Sequence, residues 1–310
     1  MNIHTFRLEP GLPEPSIMVA SWHMSGIEHN VKRDYIDGVV YALPHDTEES
    51  SRLLMQHNLC LRAFDNKVLH APVELKDDDW VLEGATGTGI WLQDLAKETS
   101  TKPHYIGIDI ESNFFPRAST LPSNITFEIQ SVLDLPKEWT NKFTLVHQRL
   151  LIAGLRTQDW EQDIKELYRV VKPGGWVQLF ELKIWTSGPA LAKHWDLLCK
   201  FSDDVGIMYR DLTTKLPEFL KQSGFVDIHE DTRGTPLGTW ANQDGIDAKD
   251  NLLGVLRGLK TPILKGGGYG VVESEAEYDE LLEEIEKEMD ATSGSTALWT
   301  MFWARKPFNE

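Results

Sequence analysis

The chain is poor in cysteine, short of positive charge and without a long apolar run, and each shortage removes a class of protein. Its two cysteines, Cys60 and Cys199, sit among apolar neighbours. They cannot build a disulfide framework and read as reduced residues of an intracellular protein. Basic residues number 31 against 48 acidic ones, a net charge of −17. Such a surface repels phosphate backbones, and no local basic patch offsets it, so nucleic acid is not an expected partner. No segment approaches the ~20 apolar residues that cross a bilayer. The N-terminus carries no apolar stretch after its charge of the kind a signal peptide needs. The expectation is a cytoplasmic protein without a membrane partner. Ten histidines are scattered without zinc-ligand spacing, so no metal is expected. The oligomeric state is left open.

What is present is enough for a large core, with 41% hydrophobic residues in a chain of 310. The most informative stretch is Trp80-Val81-Leu82-Glu83-Gly84-Ala85-Thr86-Gly87-Thr88-Gly89-Ile90-Trp91. An apolar strand ends in an acid, three glycines follow within six residues, and helix-compatible sequence begins. Glycine has no Cβ, so such a turn lets backbone approach a ligand. A dinucleotide fingerprint would need glycine at position 86, where this chain has Thr86. What remains is acid-Gly-x-x-Gly-x-Gly.

Strands and helices then alternate, the pattern of a parallel sheet covered on both faces. Strands are expected at Trp80–Glu83, His104–Asp109, Ile125–Ile129, Phe143–His147 and Trp176–Glu181. Helices are expected at Ile90–Glu98 and Trp160–Val171, the latter stopped by Lys172-Pro173-Gly174-Gly175. Upstream, Pro10, Pro13 and Pro15 make the opening irregular, and from Asp46 a capped helix begins with Leu53, Leu54, Cys60 and Leu61 as its apolar stripe. After Glu181 the alternation loosens. Helices are expected over Ala190–Phe201, Leu216–Ser223 and Asn242–Leu259, the last ended by Pro262. Ser274 and Glu277 start an acidic helix running to about Met289, with Tyr278, Leu281, Leu282, Ile285 and Met289 inward. Phe225–Glu230 and Ala297–Arg305 complete the strands. The fold class is α/β: a Rossmann-like, doubly wound, mostly parallel seven-stranded sheet. Residues 1–75 form an N-terminal helical layer, and 76–310 the main domain with helical insertions at about 183–212 and 235–292.

The glycine loop resembles that of class I S-adenosylmethionine (SAM)-dependent methyltransferases. Tyr41-x-Leu43-Pro44-x-Asp46-x-x-Glu49-x-x-Arg52-Leu53-x-x-Gln56-His57, the run from Trp139 to Arg149, and Lys172-Pro173-Gly174-Gly175-Trp176 extend the likeness. They resemble the fungal secondary-metabolism group that includes the LaeA regulator. The likeness covers about residues 35 to 182. It implies SAM as cofactor, S-adenosylhomocysteine as product, and a cofactor site built from Glu83, Gly84, Thr86, Gly87, Gly89, Asp109, Ile110, Ser131, Val132 and Gln148. Asp109 would accept from both ribose hydroxyls. Ser131 stands where an acid is common, so the adenine amino group meets either this hydroxyl or Asp134.

Methyl transfer from a sulfonium is an in-line displacement, in which the protein mainly positions donor and acceptor. His147, expected at the end of the fourth strand, is the candidate base for a hydroxyl acceptor. Equally, His147 and Arg149 could hold the cofactor's methionine end or buttress the sheet. Tyr41, Arg52, Gln56 and His57 could close over the cofactor, or Gln56 and His57 could be exposed helix positions. Trp185, Trp195, Phe201, Met208, Tyr209 and Trp240 suggest an apolar or aromatic cavity. The expected function is methylation of a small-molecule oxygen or nitrogen. The alternatives are a non-methylating step, dehydration or pericyclic, on the same fold, or a LaeA-like regulator working through protein partners.

Overall fold

The computed structural model describes residues 41–308; the expected irregular opening with its prolines lies outside them. Helix α1 (Thr47–Ala63) starts where the Asp46 carboxylate accepts the Glu49 N–H at 2.9 Å, satisfying one of the amides that a helix start leaves open. Then follow β1 (Trp80–Gly84), α2 (Ile90–Glu98), β2 (His104–Asp109), β3 (Ile125–Ile129), β4 (Phe143–Arg149), α3 (Trp160–Val170) and β5 (Val171–Thr186). The later elements are α4 (Pro189–Val205), α5 (Leu212–Gln222), β6 (Val226–Pro236), α6 (Asn242–Lys265), α7 (Glu275–Ala291) and β7 (Thr296–Arg305).

The seven strands lie in the order β3-β2-β1-β4-β5-β7-β6. The first five run parallel, and β7 is antiparallel to both β5 and β6. Val81, Leu82, Leu145, Val146 and Val177 are fully buried, as strands covered on both faces must be. From β1 the chain winds outward through β2 and β3, then returns to begin again at β4. The loops after β1 and β4 therefore diverge and leave a crevice at the carboxyl ends of those strands.

Local signals place most elements well, and the departures have physical causes. Strand β5 begins at Val171, five residues early, because Val171 pairs with Phe143 before the register shifts and Trp176 pairs with Leu145. Lys172–Gly175 is thus a bulge within the strand. Only Gly174 there has a left-handed backbone, at φ +79°. Helix α6 runs three residues past Pro262, whose carbonyl accepts from Gly266 N–H at 3.1 Å. A proline in the last turn removes one amide without ending the helix. In α1, Leu54 is exposed, while the polar Glu49, Arg52, Gln56 and His57 are buried.

Helix α7 follows its pattern: Ser274 Oγ accepts Glu277 N–H at 3.2 Å, and Tyr278, Leu281, Leu282, Ile285 and Met289 are buried. Ser274→Ala is expected to cost about 1 kcal/mol, read as a shift in the urea midpoint; an unchanged midpoint would remove the cap from the account of this helix. Among the described residues, no helix is long and apolar enough to cross a membrane.

Candidate active site

One cavity of about 440 Å³ opens over the crevice. Its floor comes from strand-end loops: Ala85–Thr88 after β1, Asp109–Glu111 after β2, Gln130–Leu133 after β3 and Arg149–Arg156 after β4. Its roof comes from Tyr41, His45 and, on α1, Arg52, Leu53 and Gln56. At the far end it becomes an apolar recess between Leu182 and Trp185 of β5, Leu198 and Phe201 of α4, Val255 and Leu259 of α6, and Trp299 of β7, with Tyr209 alongside.

The loop after β1 is held from below. Glu83 is 1% exposed and accepts a hydrogen bond from the Thr86 hydroxyl; burial pushes its carboxyl up to about 7. Thr86 N–H donates to Ile108 O at 2.9 Å, and Gly87 N–H to Asp109 Oδ2 at 2.9 Å. Gly89 opens α2 with φ +64°, and a Cβ there would run into the Phe127 ring. Packing against the sheet and the left-handed backbone both require glycine there.

Of the residues expected around the cofactor, Thr86, Gly87, Asp109, Ile110, Ser131 and Val132 line the cavity. Glu83, Gly84, Gly89 and Gln148 do not. Glu83 lies beneath the loop. A Cβ on Gly84 would meet Gln148 Oε1 at 2.9 Å, so that glycine makes room for a side chain. Gln148 turns to α3 and donates to Asp163 Oδ2 at 2.8 Å. Asp134 is exposed and outside the cavity, which leaves Ser131 as the neutral group there.

His147, the candidate base, is buried. It does not line the cavity. Its ring stacks on Trp91 of α2 with centroids 3.7 Å apart, and its Nδ1 lies 3.0 Å from Gln178 O. Successive residues of a strand face opposite sides, so His147 points into the packed layer beneath the sheet rather than out of its end. Burial, reinforced by the Arg149 charge, lowers its pKa well below 6.5. A neutral imidazole packed on an indole is a core residue.

Of the polar groups of α1, Arg52 and Gln56 line the cavity. Arg52 forms a buried pair with Glu49 at 2.6 Å and donates from Nη1 to Asn251 Oδ1 of α6 at 2.9 Å. Arg62, further along α1, reaches Asp244 and Asp247 of α6 at 2.8 and 2.7 Å. His57 is buried rather than exposed, between Arg149 and Asp94. His45 and Phe114, which sequence reasoning did not single out, stack with centroids 5.6 Å apart in the cavity wall. Both lie in loops without periodicity, so no local signal marked them.

Asp109 Oδ1 takes Glu111 N–H at a long 3.4 Å, and the carboxylate, which lines the cavity, can accept further hydrogen bonds there. Gly87 leaves open the space a Cβ would fill, with Leu53 Cδ1 the nearest atom at 3.9 Å. These residues fit a nucleoside-bearing cofactor of the SAM type.

Seven strands in this order, a glycine loop after the first and an acid after the second define a class I methyltransferase domain. A family model described as a methyltransferase domain matches residues 81–175. The N-methyltransferase gliN of Aspergillus fumigatus is 30% identical over 280 residues, covering 86% of this chain and 96% of that protein. The N-methyltransferase sirN of Leptosphaeria maculans is 32% identical over 280 residues, covering 86% and 95%. Among solved structures, the YcgJ protein of Bacillus subtilis is 14% identical with a TM-score of 0.49, covering 82% of this chain and all of that one. The chain belongs to the class I SAM-dependent methyltransferases, alongside these fungal N-methyltransferases.

Proposed function

We propose that the chain transfers a methyl group from SAM to a nitrogen of an uncharged, apolar or aromatic small molecule, releasing S-adenosylhomocysteine. The observation that carries this reading is the continuity of the cavity: Gly87, Asp109 and Ser131 share it with Trp185, Phe201 and Trp299. In this reading α1 and the stretches 183–212 and 235–292 cap the methyltransferase domain 76–310. Nitrogen rather than oxygen is favoured because the relatives matched over most of their length are named N-methyltransferases.

When bound, the cofactor supplies a methyl group made electrophilic by a positively charged sulfur. The chain's own part is to position and to dry. Asp109 accepts the ribose hydroxyls, and Ile110, Ser131 and Val132 flank the adenine. The recess holds the acceptor among indole and phenyl faces, excluding water. Among the described residues, no carboxylate lines the recess between Leu182, Trp185, Leu198, Phe201, Val255, Leu259 and Trp299. An ammonium entering there would lose its hydration without a counter-charge. The acceptor nitrogen therefore binds neutral, with its lone pair available, and no side-chain base is needed before attack.

Incubation with methyl-labelled SAM and a panel of uncharged nitrogen-containing aromatic metabolites is expected to label small products. Label recovered only on protein or nucleic acid would overturn the proposal in favour of the regulator reading.

A further inference from the structure

Two rings of the apolar recess carry hydrogen-bond donors that the protein does not use. Trp185 of β5 and Tyr209, in the turn between α4 and α5, are 6% and 8% exposed, and both line the cavity. Among the described residues, no hydrogen bond engages Trp185 Nε1 or Tyr209 Oη. Neither atom is sealed in the core as Trp160 Nε1 is, so each borders open space. The other polar side chains of the recess are spent. Ser202 Oγ donates to Leu198 O at 2.7 Å, and Trp299 Nε1 to Thr235 Oγ1 at 3.0 Å. The turn that carries Tyr209 is fixed by its backbone. Gly206 ends α4 with φ +81°, Ile207 N–H returns to Ser202 O at 2.7 Å, and Gly206 O accepts Thr157 N–H at 2.8 Å. Thr157 follows the Arg149–Arg156 floor of the cavity, so floor and turn are tied together. The phenol ring packs against Trp185 and Trp195, with centroids 6.3 and 5.4 Å away. Burial raises its pKa above the ordinary 10, so the hydroxyl keeps its proton and can donate.

We propose that Tyr209 Oη, with Trp185 Nε1 as a second donor, binds a carbonyl oxygen of the acceptor molecule and so selects which molecules the recess takes. The proposal rests on the small-molecule reading above and adds a polar requirement to an otherwise apolar recess. A molecule without such an oxygen would cover both donors and leave them unpaired, which is costly in a site closed to water. A carboxylate would exchange its hydration for two neutral donors, since Arg52 in the roof is already paired with Glu49. A carbonyl oxygen has less hydration to lose and two lone pairs for two donors. An oxygen held at one point also restricts how the molecule turns, which apolar contacts alone do poorly.

The probes are oxindole and indoline, bicyclic nitrogen compounds of nearly the same shape, of which only the first carries a carbonyl. Each is titrated against the full chain saturated with S-adenosylhomocysteine, at mildly alkaline pH where both are uncharged, and binding is read by ligand-detected NMR. Oxindole is expected to bind the wild type about fivefold or more tightly than indoline. Tyr209→Phe removes only the hydroxyl; it should erase most of that preference by weakening oxindole, with indoline within about twofold. Trp185→Phe should reduce the preference by a smaller factor. Retained S-adenosylhomocysteine affinity reports a folded chain in each variant. A preference that survives Tyr209→Phe would overturn the proposal. Equal losses for both probes, or a lost S-adenosylhomocysteine affinity, would assign Tyr209 to the fold and overturn it too. So would a wild type that binds S-adenosylhomocysteine but takes neither probe, or both equally. A wild type without affinity for S-adenosylhomocysteine would instead strike the methyl-transfer reading beneath it.

Discussion

Asp109→Ala is expected to lower S-adenosylhomocysteine affinity by about 3 kcal/mol, roughly 100-fold, the loss of two hydrogen bonds to a charged acceptor. Calorimetry reads it directly. The same carboxylate accepts Gly87 N–H at 2.9 Å, so alanine also loosens the loop after β1. Asp109→Asn separates the two effects, because its amide oxygen can still accept from Gly87 but cannot serve both hydroxyls as a carboxylate does. Asparagine should lose nearly as much affinity as alanine while retaining thermal stability. Unchanged binding in either variant would remove Asp109 from the cofactor site.

His147→Ala is expected to destabilise the protein by about 2–4 kcal/mol, as truncation of a buried, packed side chain does. Turnover at saturating SAM should stay within about twofold. A 10²-fold fall in turnover with stability intact would restore His147 as the base. The same residue carries a pH signature. Burial depresses its folded-state pKa below the 6.5 of the unfolded chain, so the unfolded state binds more protons in acid. Stability is therefore fully present above pH 6.5 and falls as pH drops below it, by up to about 1.4 kcal/mol per pH unit for each such histidine. His57 and His194, both lowered to about 4, add to the slope down to that value. Denaturation midpoints for His147→Phe across this range should fall less steeply than for the wild type.

The strand–helix alternation was legible because its signals are local. Ile90–Glu98, His104–Asp109 and Ile125–Ile129 have the expected boundaries, each marked by an apolar run next to a polar or glycine break. Asp109 was legible for the same reason: it is an acid at the end of a recognisable strand. The face of His147 was not. Every residue from Phe143 to Gln148 is buried, so the strand has no polar side to reveal its parity. Nor could α1 disclose its buried polar face, since the partners of His57 lie 37 and 92 residues away in sequence. The tryptophans of the far recess show the same limit. Trp185 and Trp299 reach one cavity from strands that pair antiparallel, a juxtaposition that only the completed sheet creates.

The hydrogen bond from Arg52 to Asn251 ties α1 to α6 across 199 residues of sequence, and it bears on how such an enzyme can diverge. In the proposed function, donor chemistry resides in residues 85–156 and acceptor choice in residues 182–299, so that substitutions in one stretch leave the other's inheritance untouched. A lineage can thus trade one acceptor for another without relearning how to hold its methyl donor. The tie sets the boundary of that freedom. Any new far wall must still offer an amide where Asn251 stands, or a guanidinium in the roof loses one of its partners.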